Sequence, residues 1–262
     1  MLRAYGVSDK GRVRPTNEDY FAIDEGLRLC VVADGLGGHN AGEVAARMAV
    51  DAAVDFVRGE ALLELRSDAE SALPEQAEAW PFGFDPSLSD AGNLLRTAIH
   101  LANVQILETA ISFDEYAGMG TTIVAAMVDG GRLSVAHVGD SRLYVVANDR
   151  IRQLTHDDSW MASVLGDDRP AELHHPMRNL LTNVVGARPR TDVHVVEEIL
   201  GGGELLLLLT DGVHGALDDH RLARLVGDGG DLRQIATSLV SAALARGSRD
   251  NCTAIAARYL PD

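Results

Sequence analysis

Three apolar runs end in an aspartate, and a fourth begins just after one. LRLCVVAD closes on Asp34 with Gly35 behind it. LSVAHVGD closes on Asp140, and ELLLLLTD on Asp211 with Gly212 behind it. Asp250 and Asn251 stand directly before CTAIAARYL. Strand ends from one sheet can bring such residues onto one rim. A lone Asp-Gly is an ordinary turn signal, so no single instance assigns a site. Together, several carboxylates in a partly dry place repel one another and raise each other's pKa, unless cations hold them ionised. Carboxylates, carbonyls and waters are hard oxygen ligands that suit magnesium or manganese. The chain has no HExxH, no CxxC and no Cys/His spacing for zinc, and neither GxGxxG nor GxxxxGK[ST] to cradle a phosphate. The glycines of GLGGHNAG, 35 to 42, would let a backbone carbonyl approach a metal where a Cβ hinders it. Two ions about 4 Å apart, bridged by carboxylates, can orient and deprotonate a water for in-line attack on phosphorus. They also absorb charge on the phosphoryl oxygens. A cation outside the metal shell would then seat the phosphate. Arg14, in GRVRPTNED, is the candidate, because its planar fork matches two oxygens. Arg12 competes for the role, and a solvated surface arginine is the plain alternative.

Net charge bears on the same point. Lys plus Arg number 23 against 39 Asp plus Glu, a formal net charge of -16 over 262 residues. Such a field repels nucleic acid and anionic membranes, so neither is expected as a partner. It also repels a phosphorylated substrate unless metal ions neutralise the site locally. An apolar content of 46% supports a substantial core, and the length suits one large domain or two small ones. No apolar run approaches bilayer length, and MLRAYGVSDKGRVR lacks the marks of a secretory signal. Cys30 and Cys252 sit in strand-like apolar runs and read as buried free thiols. A cytoplasmic monomer is expected.

The elements that must position these residues are short strands and a few long helices. LRAYGVSD, DYFAID and LRLCVVAD read as strands. Residues 41 to 58 carry Val44, Met48, Ala52 and Phe56 on one helical stripe ending near Gly59, and a second helix runs from about Leu94 to Ile111. Residues 60 to 92 read as a surface insertion. Strands follow at TTIVAAMV, RLSVAHV, SRLYVVAN and DRIRQLT, the first two joined by a DGG hairpin turn. Residues 156 to 178 read as a surface excursion around a short helix, with Trp160, Met161, Val164 and Leu165 as apolar anchors. DVHVVEEI and ELLLLLT are strands, and Asp231 caps a helix to Ala245 with Gln234 three residues on. This is α+β layering with antiparallel sheets, and no gap reads as a linker, so one domain over 1 to 262 is expected.

These residues resemble the metal-dependent PPM/PP2C protein phosphatases, in their compact bacterial type. RVRPTNEDY (12 to 20), VVADGLGGHNAGEVA (31 to 45), GMGTT (118 to 122), HVGDSR (137 to 142), LTDG (209 to 212) and SRDNCT (248 to 253) follow the family's order. The resemblance implies a four-layer α-β-β-α sandwich: two central antiparallel β-sheets face to face, flanked by helices, with the site at one end. It implies that Asp34 bridges two Mn2+ or Mg2+ ions, that Gly35 ligates through its carbonyl, and that Asp211 and Asp250 complete the pair. Asp140 would share a weaker third ion with Asp211. Arg14 would bind phosphate, and Glu18 and Asp19 would order metal-bound waters rather than ligate. The implied activity is hydrolysis of phosphoserine and phosphothreonine in proteins, a Ser/Thr kinase or its substrates among them. A phosphatase of small esters and a non-catalytic phosphoprotein binder are the alternatives.

Three departures stand out against the family pattern. Leu36 occupies a place where bacterial members commonly have methionine, and His39 lies nearby. The flap, 156 to 178, carries THDD for a TKDD-like sequence and is a few residues short. The 60 to 92 stretch is longer than in compact relatives.

Overall fold

β10 (Leu205–Leu209) is five consecutive leucines, all buried, because both faces of its strand are covered. Leu205, Leu207 and Leu209 face one apolar layer and Leu206 and Leu208 another, the period-2 alternation of a strand between two cores. β3 (Leu29–Leu36) behaves the same way, with Leu29, Val31 and Ala33 on one side and Cys30 and Val32 on the other. The computed structural model describes residues 1–38, 41–67, 80–148, 150–165, 180–227 and 230–261, with the backbone alone for 62–67 and 165. His39, the middle of the expected insertion and the outer part of the expected flap lie outside the described residues.

Two antiparallel sheets hold the strands. One runs β1 (Leu2–Asp9), β11 (Cys252–Tyr259), β10, β7 (Arg142–Ala147), β8 (Arg150–Gln153). The other runs β2 (Asp19–Asp24), β3, β5 (Ile123–Asp129), β6 (Arg132–Val138), β9 (His194–Ile199), with the short β4 (Gly120–Thr121) paired to β3. The sheets meet through Cys30, Val32, Val124, Leu206, Leu208 and Ile255. α1 (Ala41–Ser67) and α2 (Asp90–Ser112) cover the outer face of the six-stranded sheet. α4 (Asp211–His214), α5 (Asp219–Gly227) and α6 (Leu232–Ala245) cover the five-stranded one. α3 (Trp160–Leu165) follows β8. The result is the four-layer α-β-β-α sandwich.

Local chemistry explains most element ends. Asp231 Oδ1 accepts the Gln234 N–H at 2.8 Å, and Gln234 Oε1 accepts the Asp231 N–H at 3.3 Å, closing a capping box at α6. Between β5 and β6, Gly130 and Gly131 both take positive φ, +52° and +85°, as a two-residue hairpin turn requires. Two expectations fail. α1 does not stop near Gly59 but continues to Ser67; one exposed helical glycine costs only about 1 kcal/mol, and EALLELR after it is rich in helix formers. Val164 is no anchor of the flap, being 56% exposed, while Met161 and Ala162 are buried.

Antiparallel pairing decides where the aspartates meet. Leu209 of β10 pairs with Arg142 of β7 and Ala254 of β11, so the end of β10 and the starts of β7 and β11 share one edge. In the other sheet, Val32 pairs with Val124 and Ile123 with Val138, so the ends of β3 and β6 also share an edge. The β6–β7 turn joins these edges.

Candidate active site

At that edge lies a cavity of about 190 Å3. Asp34, Asp140, Asp211, Asp250 and Glu18 line it, with Arg14 as the one cation among the described residues. Gly35, Leu36, Thr122 and Leu181 complete much of the wall. Arg12 is not among the lining residues, so the fork facing the carboxylates is that of Arg14. Asp19 is also absent from the wall. It lies behind, buried, its Oδ2 accepting Thr210 Oγ1 at 2.8 Å and Thr253 Oγ1 at 2.6 Å.

Residues distant in sequence hold Asp34 and Asp250 in place. Asp34 ends the well-paired part of β3; its N–H donates to Thr122 Oγ1 at 3.1 Å, and its carbonyl accepts Thr122 N–H and Thr121 Oγ1, each at 2.9 Å. Thr122 Oγ1 is also 2.7 Å from Ser141 Oγ, which links Asp34 to the turn carrying Asp140. Asp211 opens α4. Asp250 Oδ1 accepts the Asn251 N–H at 2.9 Å, and its Oδ2 takes Arg14 at 2.6 Å. Asn251 then reaches back, donating to the carbonyls of Lys10 and Thr16 and accepting the Glu18 N–H at 2.9 Å. That side chain fastens the loop of Arg14 and Glu18 to the site. The roles of Thr122 and Asn251 were missed from the sequence, although both stand inside quoted motifs.

Gly35 has a structural reason of its own. A Cβ there would lie 2.0 Å from the Gly42 carbonyl oxygen, so the glycine is required by the approach of α1 to β3.

Electrostatics are severe. Burial, then the charges of Asp19, Asp211, Asp140 and Asp250, hold the Asp34 carboxyl well above the usual range. Burial and Asp211 push Asp140 up to about 7, and burial and Asp250 push Asp211 up to about 6. Burial likewise takes Asp19 to about 7 and raises Glu18. The Asp250 hydrogen bond raises Arg14. One buried oxygen of Asp211 and one of Asp19 have no hydrogen-bond partner. A donor set of carboxylate oxygens with orphaned acceptors and mutual repulsion fits hard divalent cations. Among the described residues, no three Asp, Glu, His or Cys side chains are gathered around a single point. The carboxylates line one rim instead, and Asp34, Asp140, Asp211 and Asp250 are the residues there that could share such ions.

The comparisons with known proteins bear on the family and the fold. The model of the protein phosphatase 2C family matches residues 12–249. The serine/threonine phosphatase stp of Listeria welshimeri is 31% identical over 259 residues, covering 95% of this chain and 92% of the relative. The crystal structure of the Mycobacterium tuberculosis serine/threonine phosphatase PstP/Ppp superposes with a TM-score of 0.81 at 28% identity, over 99% of both chains. The catalytic domain of PstP in complex with 2 manganese ions superposes with a TM-score of 0.77 at 26% identity, over 99% of this chain and 98% of that one. With the ordered motifs, the two-sheet sandwich and the carboxylate-lined cavity all in place, the chain belongs to the protein phosphatase 2C family.

Proposed function

We propose that the chain is a metal-dependent protein-serine/threonine phosphatase that hydrolyses the phosphate ester with a metal-activated water. The observation that carries it is the convergence of Asp34, Asp211 and Asp250 on one cavity with Arg14 beside them. Two manganese or magnesium ions, when bound, would activate the water and absorb charge on the phosphoryl oxygens. Asp34, from one sheet, and Asp211 and Asp250, from the other, would hold them, with the Gly35 carbonyl as a further ligand. Arg14 seats the phosphate, sharing its guanidinium with Asp250 in the free protein. Glu18 on the wall and Asp19 behind it order the polar surroundings. Asp140 and Asp211 would take a weaker third ion, since Asp140 also faces the cavity and feels the Asp211 charge. The partners are phosphorylated proteins, a Ser/Thr kinase or its substrates among them, met by a monomer of one domain.

Turnover of a phosphothreonine peptide with manganese, set against p-nitrophenyl phosphate, tests the reading. Higher kcat/KM on the peptide is expected; turnover of the small ester alone sinks the protein-phosphatase reading, and no turnover of either sinks catalysis. In the same assay Asp140→Ala should lower peptide turnover and remove the weakest class of metal in a calorimetric titration.

A further inference from the structure

Two adjacent carboxylates where the chain leaves β8 are committed to different partners. Asp157 takes the fork of Arg142, Nε to Oδ1 at 2.9 Å and a terminal nitrogen to Oδ2 at 2.8 Å. Asp158 instead collects three separate pieces of chain. Its Oδ2 accepts the Gly139 N–H at 2.9 Å and Asn183 Nδ2 at 2.8 Å, and its Oδ1 lies 2.9 Å from His194 Nε2. Its own N–H donates to the Gly139 carbonyl, and its carbonyl accepts the Thr182 N–H, each at 2.9 Å. Both backbone groups of Gly139 therefore end on this one residue. Gly139 has φ +95°, and a Cβ there would strike the Thr122 side chain at 2.6 Å, so the turn has little room to relax. The next residue is Asp140. On the far side, Thr182 and Asn183 follow Leu181 of the cavity wall, and Asn183 also holds Thr191 and the Asp192 carbonyl.

We propose that Asp158 is a positioning residue of the phosphatase site: through Gly139 it fixes the turn that carries Asp140, and through His194 and Asn183 it ties that turn to β9 and to the Leu181 wall. Only the kinetic consequence rests on the phosphatase reading; the clasp itself does not.

His194 lends the clasp a pH dependence. The Asp158 hydrogen bond raises the His194 imidazole against the pull of burial, with Asp192 adding to the rise. Burial raises Asp158, but His194, Gly139 and Asn183 outweigh it and leave the carboxyl below its usual range. His137 of β6 stacks on His194 at 5.1 Å; burial, then the His194 charge, takes it down to about 4, so it stays neutral. Among the described residues, His156 and Asp157 also act on His137, and Asp157 is taken by Arg142. The imidazolium–carboxylate pair is therefore complete below the ordinary histidine value of about 6.5 and weakens as pH rises through the raised folded value. Asp158 remains ionised across that window.

Hydrogen–deuterium exchange on full-length Asp158→Ala and Asp158→Asn, below about pH 6.5, should show faster exchange at 139–142 and 181–185, with 31–33 unchanged. With manganese and a phosphothreonine peptide, kcat should fall roughly 10–100-fold with KM little changed, and Asp158→Asn should keep more activity than Asp158→Ala. Wild-type kcat should decline as His194 deprotonates, followed by NMR of its ring, and His194→Gln should remove that decline; a decline that survives His194→Gln overturns the pH dependence. Unchanged exchange at 139–142 overturns the clasp whatever the activity. Altered exchange with unchanged kcat overturns its link to catalysis. A wild type that does not turn over the peptide sinks the proposed function, while the exchange result still decides the role of Asp158. If Asp158→Ala fails to fold, Asp158→Asn carries both measurements.

Discussion

Asp211 has a buried oxygen with no partner and a carboxyl pushed to about 6. Unfolded, that group titrates near 3.8, so the folded, metal-free protein binds the extra proton and loses stability as pH rises from about 3.8 through about 6. Asp211→Asn removes the penalty. Without metal, this variant should melt above the wild type at neutral pH by on the order of 2 kcal/mol, a few degrees, and the gap should close toward pH 4. Its turnover should drop by orders of magnitude, as should that of Asp250→Asn; thermal unfolding with chelator and steady-state kinetics check both. Arg14→Ala should raise KM for the phosphopeptide while leaving manganese affinity equal or tighter, because Asp250 loses its competing cation. Calorimetry that shows weaker manganese binding would move Arg14 out of the phosphate seat. The aspartates were legible in the sequence because each ends or precedes an apolar run. Thr122 and Asn251 were not, because a hydroxyl or an amide inside a motif carries no sign of which distant backbone it will hold. Asn251 closes on Glu18, 233 positions away.

At the scale of elements, the junction between β4 and β5 does more than end a strand. Thr122 is fully interior and joins Asp34 on β3 to Ser141 in the β6–β7 turn. Thr122→Val keeps the volume and deletes the acceptor, leaving the Asp34 N–H unpaired, so a loss of about 1–3 kcal/mol is expected. Manganese binding should weaken with it. Denaturant unfolding and a metal titration measure the two effects, and loss of stability with unchanged metal affinity would make Thr122 a scaffold residue only. The long strands and α6 were readable from alternation, turn glycines and the Asp231 cap. α4 and α5 were not read: α4 has four residues, too few for a helical period, and α5 has nine. The reach of α1 past Gly59 was misread because glycine weakens a helix without ending it when neighbours favour it.

The whole molecule carries a formal net charge of -16 and gathers much of the strain of that charge at one rim. Chelation should therefore abolish activity, and manganese or magnesium should restore it where zinc restores little, given an all-oxygen donor set. Phosphatase turnover that survives chelation, with metal content verified, would sink the two-ion reading. The layer order could be inferred only through the family resemblance, since alternation identifies strands but not which sheet each one joins. Pairing sets β1 beside β11 from opposite ends of the chain, and no local pattern announces that. It also sets Asp34 at the edge of one sheet and Asp211 and Asp250 at the edge of the other. Ions shared between them would weld the two plates at this end, while at the other end the loop from β9 to β10 and the bonds of Arg3 and Ala4 to Glu25 already join them. Removing the ions would take that weld away and leave the buried carboxylates to push the plates apart at the active-site end.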